Sequence, residues 1–521
     1  MKNKNGSLLL VMMMIALFIV GCSKEDSSDG ESTTGGGELK IALNSQPPTL
    51  DQPMSTASTT RDVSRLIFET LVTTDSKYQA VPMLAESIDV SDDSKTYTFH
   101  LRKGVKFHNG KEMIAEDVLA SMERWLEKSS ITGSIFEGAT WGAKDDNTVV
   151  LQLVDPSSLI LDTLASSKQS AAIMPKEIVE TATDKGITEY IGTGPFKFVE
   201  WKQDQYIHFT KYDAYQAVEA KTDGLAGKKE ALVDDIYFYI VKDMATRLAG
   251  LQTGEYDFAF GIPFDNYEQL QSDPNLEAII APSANDLLAF NKVEGLASDL
   301  KMRQVINTAL DMDEIMLAAF RNKDLYWLDS GYMDVSLSNW ASKAGSEYYN
   351  QNDPEKAKRM LEEMGYDGEE FKIMTTRDFD HLYNIGVVIQ EQLKQIGINA
   401  TLEIVDWPTA LDLQQNNTDA WDAFVTSSQI VSTPPQLIVL SPTWGGGFDD
   451  PKVTEAMKSI EAAPSLEEAQ AQWDELQLYA WEELLPIVQL GGNNSLNGIN
   501  KKVQGITNSS GPIFWNVKLA E

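Results

Sequence analysis

Three stretches decide the fold: "FKIMTTR" (371–377), "HLYNIGVVIQEQLKQIG" (381–397) and "NATLEIVDW" (399–407), which follow one another almost without a gap. The first is a short apolar run of strand type. The second carries apolar residues at helical spacing and stops at Gly397, and the third is strand-like again. A helix "PTALDLQQ" (408–415) and a strand "AFVTSS" (423–428) continue the alternation. Strands joined by helical crossovers are the grammar of a parallel sheet, so the chain reads as α/β.

Working outward, "TYTFHL" (96–101) sets Tyr97, Phe99 and Leu101 on one face. "TVVLQL" (148–153) and "DDIYFYIVKD" (234–243) read as further strands. Asp353 and Pro354 supply an N-cap and a first-turn proline for "EKAKRMLEEMG", with Gly365 as the stop.

In open α/β sheets, ligands sit at the carboxyl ends of strands. Here those ends are Arg377, Trp407 and Ser427–Ser428. The types suit a small polar ligand: a guanidinium for a carboxylate, an indole face for an apolar or cationic part, hydroxyls for orientation. Periodicity alone serves equally well a surface ion pair of Arg377 with Asp378 or Asp380, and an ordinary core place for Trp407.

The chain has 521 residues and one cysteine, Cys22. A lone thiol forms no internal disulfide and completes no cysteine-based metal site. Upstream lie Lys2, Lys4 and the apolar run "LLLVMMMIALFIV" (8–20), the pattern of an export signal. Gly21-Cys22 resembles the lipobox of bacterial lipoproteins, although Val20 departs from its usual small residue. The resemblance implies a signal peptide over 1–21 and an acylated Cys22. Residues 22–37 have no apolar side chain after the cysteine and read as a disordered tether reaching about 20 Å.

About 480 residues remain, enough for two or three domains. No second apolar run is long enough to span a membrane. With 43 Lys and Arg against 78 Asp and Glu, the formal net charge is -35, which excludes nucleic-acid backbones as partners. His100, His108, His208 and His381 show no metal spacing and read as ordinary residues, so no metal or cofactor is expected. "GVKFHNGKE" (104–112) misses a phosphate loop by one residue between its glycines, and Glu112 stands where Ser or Thr would hold magnesium. "GTGPF" (192–196) is no dinucleotide fingerprint, and there is no G-x-S-x-G elbow. A surface hydrolase is therefore disfavoured.

"HLRKGVKFHNGKEMIAEDVLASMERW" (100–125) resembles the large solute-binding proteins of ABC transporters, the family of dipeptide, oligopeptide, glutathione and nickel receptors. Stretches 47–75, 192–201, 246–257, 290–315 and 356–366 agree in the family's order. The resemblance implies a bilobal periplasmic-binding-protein-like clamshell with an extra domain inserted in lobe one. Lobe one would be 38–70, 190–285 and 486–521; the additional domain 71–189; lobe two 286–485. It implies an extracytoplasmic, monomeric receptor without a cofactor that hands its solute to a membrane permease and its ATPase. Thr56, Ser58 and Thr59 fall on the family stretch lining the cleft, Arg377 within one residue of an arginine that holds a ligand carboxylate, and Trp407 on a pocket aromatic.

One departure stands out. Peptide receptors of this family place a Trp and an Asp after the strand matching "AFVTSS", and that Asp holds the ligand's ammonium. Here the loop reads "SSQIVSTPPQ" (427–436), with no acid. A buried ammonium without a carboxylate is costly. Either Asp378, Asp380 or Asp406 substitutes, or the ligand lacks an amine. Glutathione, a metal chelate and haem remain alternative ligands, and a sensor remains an alternative to an importer.

Overall fold

A computed structural model describes residues 36–520, apart from 338 and 448. The signal peptide, Cys22 and nearly all of the tether lie outside the described residues. Among those described, no helix is long and apolar enough to cross a membrane.

The strand Glu38–Leu43 (β1) opens the fold. A helix, Ser58–Ser64 (α1), follows, and then a four-stranded antiparallel sheet of Ala85–Val90 (β2), Thr96–Leu101 (β3), Thr140–Asp145 (β4) and Thr148–Gln152 (β5) in the order β2-β3-β5-β4. The alternation in β3 buries Tyr97, Phe99 and Leu101 against the helix Ala115–Lys128 (α2), whose Trp125 is fully buried. Asp117 closes the first turn of α2 by accepting from the Ile114 N–H at 3.1 Å.

The main sheet has eleven strands. Its remaining principal members are Phe196–Lys202 (β6), Tyr206–Lys211 (β7), Asp235–Ile240 (β8), Phe258–Ala259 (β9), Leu276–Phe290 (β10), Glu370–Thr375 (β11), Asn399–Ile404 (β12), Ala423–Gln429 (β13) and Ile487–Asn500 (β14). They run in the order β12-β11-β13-β10-β14-β9-β1-β8-β7-β6. As the alternation requires, β11 is parallel to both β12 and β13, with the helix Asp380–Gln395 (α3) crossing over and Trp407–Asn416 (α4) after β12.

Two hydrophobic cores divide this sheet. One gathers Ile41, Phe196, Phe209, Phe238, Phe258 and Phe514; the other gathers Phe290, Ile373, Ile389, Val425, Val488 and Trp481. The long antiparallel strands β10 and β14 run from one core into the other, with register shifts at Pro282/Ala284 and Asp286/Leu287. The fold is thus a bilobal α/β clamshell whose two halves share a pair of crossing strands, with the four-stranded sheet as a third core beside them.

The third core is tied to the first by polar contacts. Arg124 on α2 makes a fork to Asp51, Nη1 to Oδ1 at 2.9 Å and Nη2 to Oδ2 at 2.5 Å, with both side chains buried. His108 Nε2 donates to the Gly194 carbonyl at 2.9 Å, and its Nδ1 accepts from the Gly192 N–H at 3.4 Å. The "GTG" glycines serve close packing: a Cβ on Gly192 would stand 2.2 Å from the Ile67 carbonyl oxygen, and one on Gly194 2.4 Å from that of Leu66.

Candidate functional site

Where β10 and β14 cross, a cleft of about 1000 Å³ opens between the two halves. Its walls come from the segment before and into α1, the chain around 166–169, the stretch after β9, the turn between β11 and α3, the start of α4, and the loop after β13.

Thr56, Ser58 and Thr59 line one wall. The neighbouring Thr60 hydroxyl donates to the Thr49 carbonyl at 2.7 Å, and Ser55 Oγ accepts from the Ala57 N–H at 3.1 Å. Those two residues hold the loop in shape. The hydroxyls of Thr56, Ser58 and Thr59 make no hydrogen bond among the described residues.

Arg377 and Trp407 line the opposite wall. Neither is a strand end as the sequence suggested: β11 stops at Thr375 and β12 at Ile404. Arg377 sits in the turn before α3, and Trp407 is the first residue of α4, because Asp406 caps that helix by accepting from the Thr409 N–H at 3.0 Å. Arg377 forms no ion pair with Asp378 or Asp380 among the described residues. It is exposed, its guanidinium lies 4.6 Å from the centre of the Tyr383 ring, and Nη2 donates to the Tyr383 hydroxyl at 3.0 Å. Asp378 instead accepts from the Trp407 N–H at 2.7 Å, tying the two turns together. The half-buried Trp407 ring packs on Phe379 at 5.3 Å and Phe424 at 5.8 Å, so it is at once cleft wall and edge of a small core.

Ser427 also lines the cleft, whereas Ser428 does not. Successive residues of a strand face opposite ways, and Gln429, two residues on from Ser427, returns to the cleft. Lys168 brings a second cation from the third core's side; it has no ion-pair partner among the described residues, and burial lowers its ammonium below the usual range. Arg321, by contrast, is paired with Asp265 at 2.8 Å.

The sequence reading missed Asp286. It lies on β10 directly opposite Ser427 of β13 and is fully buried. Ser427 Oγ donates to Oδ1 at 2.5 Å, Asn493 Nδ2 donates to Oδ2 at 2.8 Å, and His381 Nε2 lies 3.9 Å from Oδ1. Burial raises the Asp286 carboxyl above the usual range, opposed by the nearby His381 and the two donors. Ser427, Asn493 and His381 all line the cleft. His381 is therefore part of the cleft wall. A signal did exist: "ANDLLAF" (284–290) places a lone acid in an apolar strand, in phase with Leu288 and Phe290.

Among the described residues, no group of three or more His, Cys, Asp or Glu is placed to hold a metal ion. A cleft between two halves joined by crossing strands, walled by hydroxyls, aromatic rings and two cations without an ion-pair partner among the described residues, is the architecture of a protein that binds a solute between its halves. Residues 79–449 match the family model described as bacterial extracellular solute-binding proteins, family 5 Middle, and the chain belongs to that family. It is 28% identical over 494 residues to a probable peptide ABC transporter periplasmic-binding protein of Sinorhizobium fredii, covering 90% of this chain and 91% of the relative. It is 29% identical to the oligopeptide-binding protein AppA of Bacillus subtilis, covering 84% of this chain and 83% of that one. Its fold matches the crystal structure of the ABC transporter substrate-binding protein CtaP of Listeria monocytogenes with a TM-score of 0.80 at 23% identity, covering 90% and 95% of the two chains.

Proposed function

We propose that this protein is the extracytoplasmic receptor of an ABC importer, capturing a small peptide or a related carboxylate-bearing solute and delivering it to a permease with its ATPase. The observation that carries the reading is Arg377: an exposed guanidinium on the cleft wall, held by Tyr383 and without an acidic partner among the described residues. A fork of this kind matches a carboxylate. The two relatives whose names mention peptides support the peptide class.

The bodies that move are lobe one (38–70, 190–285 and 486–521), the additional domain (71–189) and lobe two (286–485), with β10 and β14 as the hinge. A ligand touching both walls favours the closed arrangement by its differential affinity, and a permease can read closure. Thr56, Ser58 and Thr59 meet the ligand from lobe one, and Arg377, Trp407 and Ser427 from lobe two. Ser428 has no part in this. Cys22, acylated, holds the receptor at the membrane.

The test is a thermal-shift screen with di- and tripeptides, N-blocked peptides, glutathione, nickel chelates, haem and small organic acids. A ligand at a hundred times its Kd adds about 2.7 kcal/mol of stability. For whichever carboxylate ligand stabilises the protein, Arg377→Ala should weaken binding by more than about 1.5 kcal/mol. An unchanged Kd removes Arg377 from the site; stabilisation by haem or nickel chelates alone refutes the peptide class.

A further inference from the structure

The turn at 166–170 enters the cleft from the third core, and its backbone is held in a conformation that residues with a side chain rarely adopt. Gln169 has φ 46°, in the left-handed region. Its side chain is locked at both atoms: Nε2 donates to the Pro53 carbonyl at 3.0 Å, and Oε1 accepts from the Ser130 N–H at 3.1 Å and the Ser130 hydroxyl at 2.7 Å. The Gln169 carbonyl accepts from the Trp125 indole N–H at 2.7 Å, and Ser170 Oγ donates to Gln52 Oε1. One residue earlier, the Lys168 N–H donates to Ser166 Oγ at 3.2 Å and closes the turn. Strain of this kind persists only where the surroundings over-determine it, and it gathers at functional sites.

At its tip this rigid turn brings Ser167 and Lys168 to the cleft. Neither the Ser167 hydroxyl nor the Lys168 ammonium makes a hydrogen bond among the described residues, and Lys168 is half-buried. Four acids line the cleft, and none of them serves it. Asp62 is taken by Arg61 and Arg65, Asp265 by Arg321 and Asp378 by the Trp407 N–H, while Asp380 adds no field at the ammonium. Burial lowers the ammonium below its usual range with no carboxylate to oppose the effect. The fold itself therefore gains nothing from this charge. A half-buried cation without a counter-charge is costly, and an anion on the ligand removes that cost.

We propose that Lys168, with Ser167, is the subsite for a second carboxylate of the ligand. Arg377 takes one carboxylate from the lobe-two wall and Lys168 takes the other from the additional domain, so the receptor selects acidic peptides or related dicarboxylates. The cleft, at about 1000 Å³, has room for such a ligand to reach both walls. A ligand that bridges them adds differential affinity for the closed arrangement and gives the additional domain a part in recognition. Because the turn is already fixed by its hydrogen bonds, little backbone ordering is lost when the anion arrives. The inference rests on the reading of the protein as a peptide receptor.

The test uses purified full-length protein and two probes: an equimolar pool of tripeptides that each hold one glutamate among uncharged side chains, and the same pool with glutamine in its place. Affinities are compared by native mass spectrometry. Wild type should prefer the glutamate pool by about ten-fold or more. Lys168→Met, which keeps the length of the side chain and removes its charge, should bring that preference close to unity, and Lys168→Arg should keep most of it. A merely structural role for Lys168 would weaken both pools alike. Equal binding of both pools by wild type overturns this inference alone, as does a preference that survives Lys168→Met. Binding of neither pool overturns the peptide reading and this inference with it.

Discussion

Arg124→Ala should be among the most destabilising single changes in the protein. The Arg124 fork delivers two charge-assisted hydrogen bonds to Asp51, at 2.9 and 2.5 Å, across the junction between the third core and the first. Asp51 is fully buried, and among the described residues its one further partner through the carboxylate is the Ile187 N–H at 3.0 Å. Truncating the arginine removes both strong bonds and leaves a buried anion with a single neutral donor. Breaking a buried pair in this way costs about 3–5 kcal/mol. Removing both charges together avoids the orphaned anion, so Arg124→Met with Asp51→Asn should cost clearly less than Arg124→Ala alone. Urea titrations of the three proteins, compared by midpoint at constant slope, measure this. A loss below about 1 kcal/mol for Arg124→Ala is what a solvent-exposed pair gives, and would refute the account of the junction.

Three further expectations concern other parts of the chain. Burial pulls His108 down to about 4, below the ordinary value of 6.5, so its contribution to stability is complete above pH 6.5 and is lost as pH falls toward 4. His108→Gln should flatten that portion of the stability profile, and melting temperatures of both proteins from pH 7.5 to 4.5 would show it; parallel profiles would contradict the neutral, two-bond imidazole. Gly192→Ala, which brings a Cβ to 2.2 Å of the Ile67 carbonyl oxygen, should cost about 1–3 kcal/mol in a thermal or urea titration. Cys22→Ser should release the protein from membranes on fractionation, and continued stable membrane association would sink the lipid anchor.

Local pattern sufficed for much of the fold. The strands Thr96–Leu101 and Asp235–Ile240, the helix from Pro354 and the strand–helix–strand run from 370 to 404 stand where periodicity and capping residues place them. Each depends on neighbours within a few residues, which is why sequence reveals it. Even where Arg377 and Trp407 were assigned to strand ends, the error was local: the turn begins two residues sooner and Asp406 starts the helix.

The floor of the cleft is different in kind. Asp286, His381, Ser427 and Asn493 lie far apart in the chain and meet only because β10 is sandwiched between β13 and β14 while α3 packs above. Whether Ser427 offers a proton or a lone pair depends on a carboxylate 141 residues away. Ser428, chemically identical, is excluded by the two-residue period once one face of the strand is assigned to the cleft. The sequence by itself determined the elements, their α/β order and the residue types available for a polar ligand. Tertiary structure alone decided which of those side chains converge and with what polarity, because strand register and the direction of a buried hydrogen bond are set by long-range pairing.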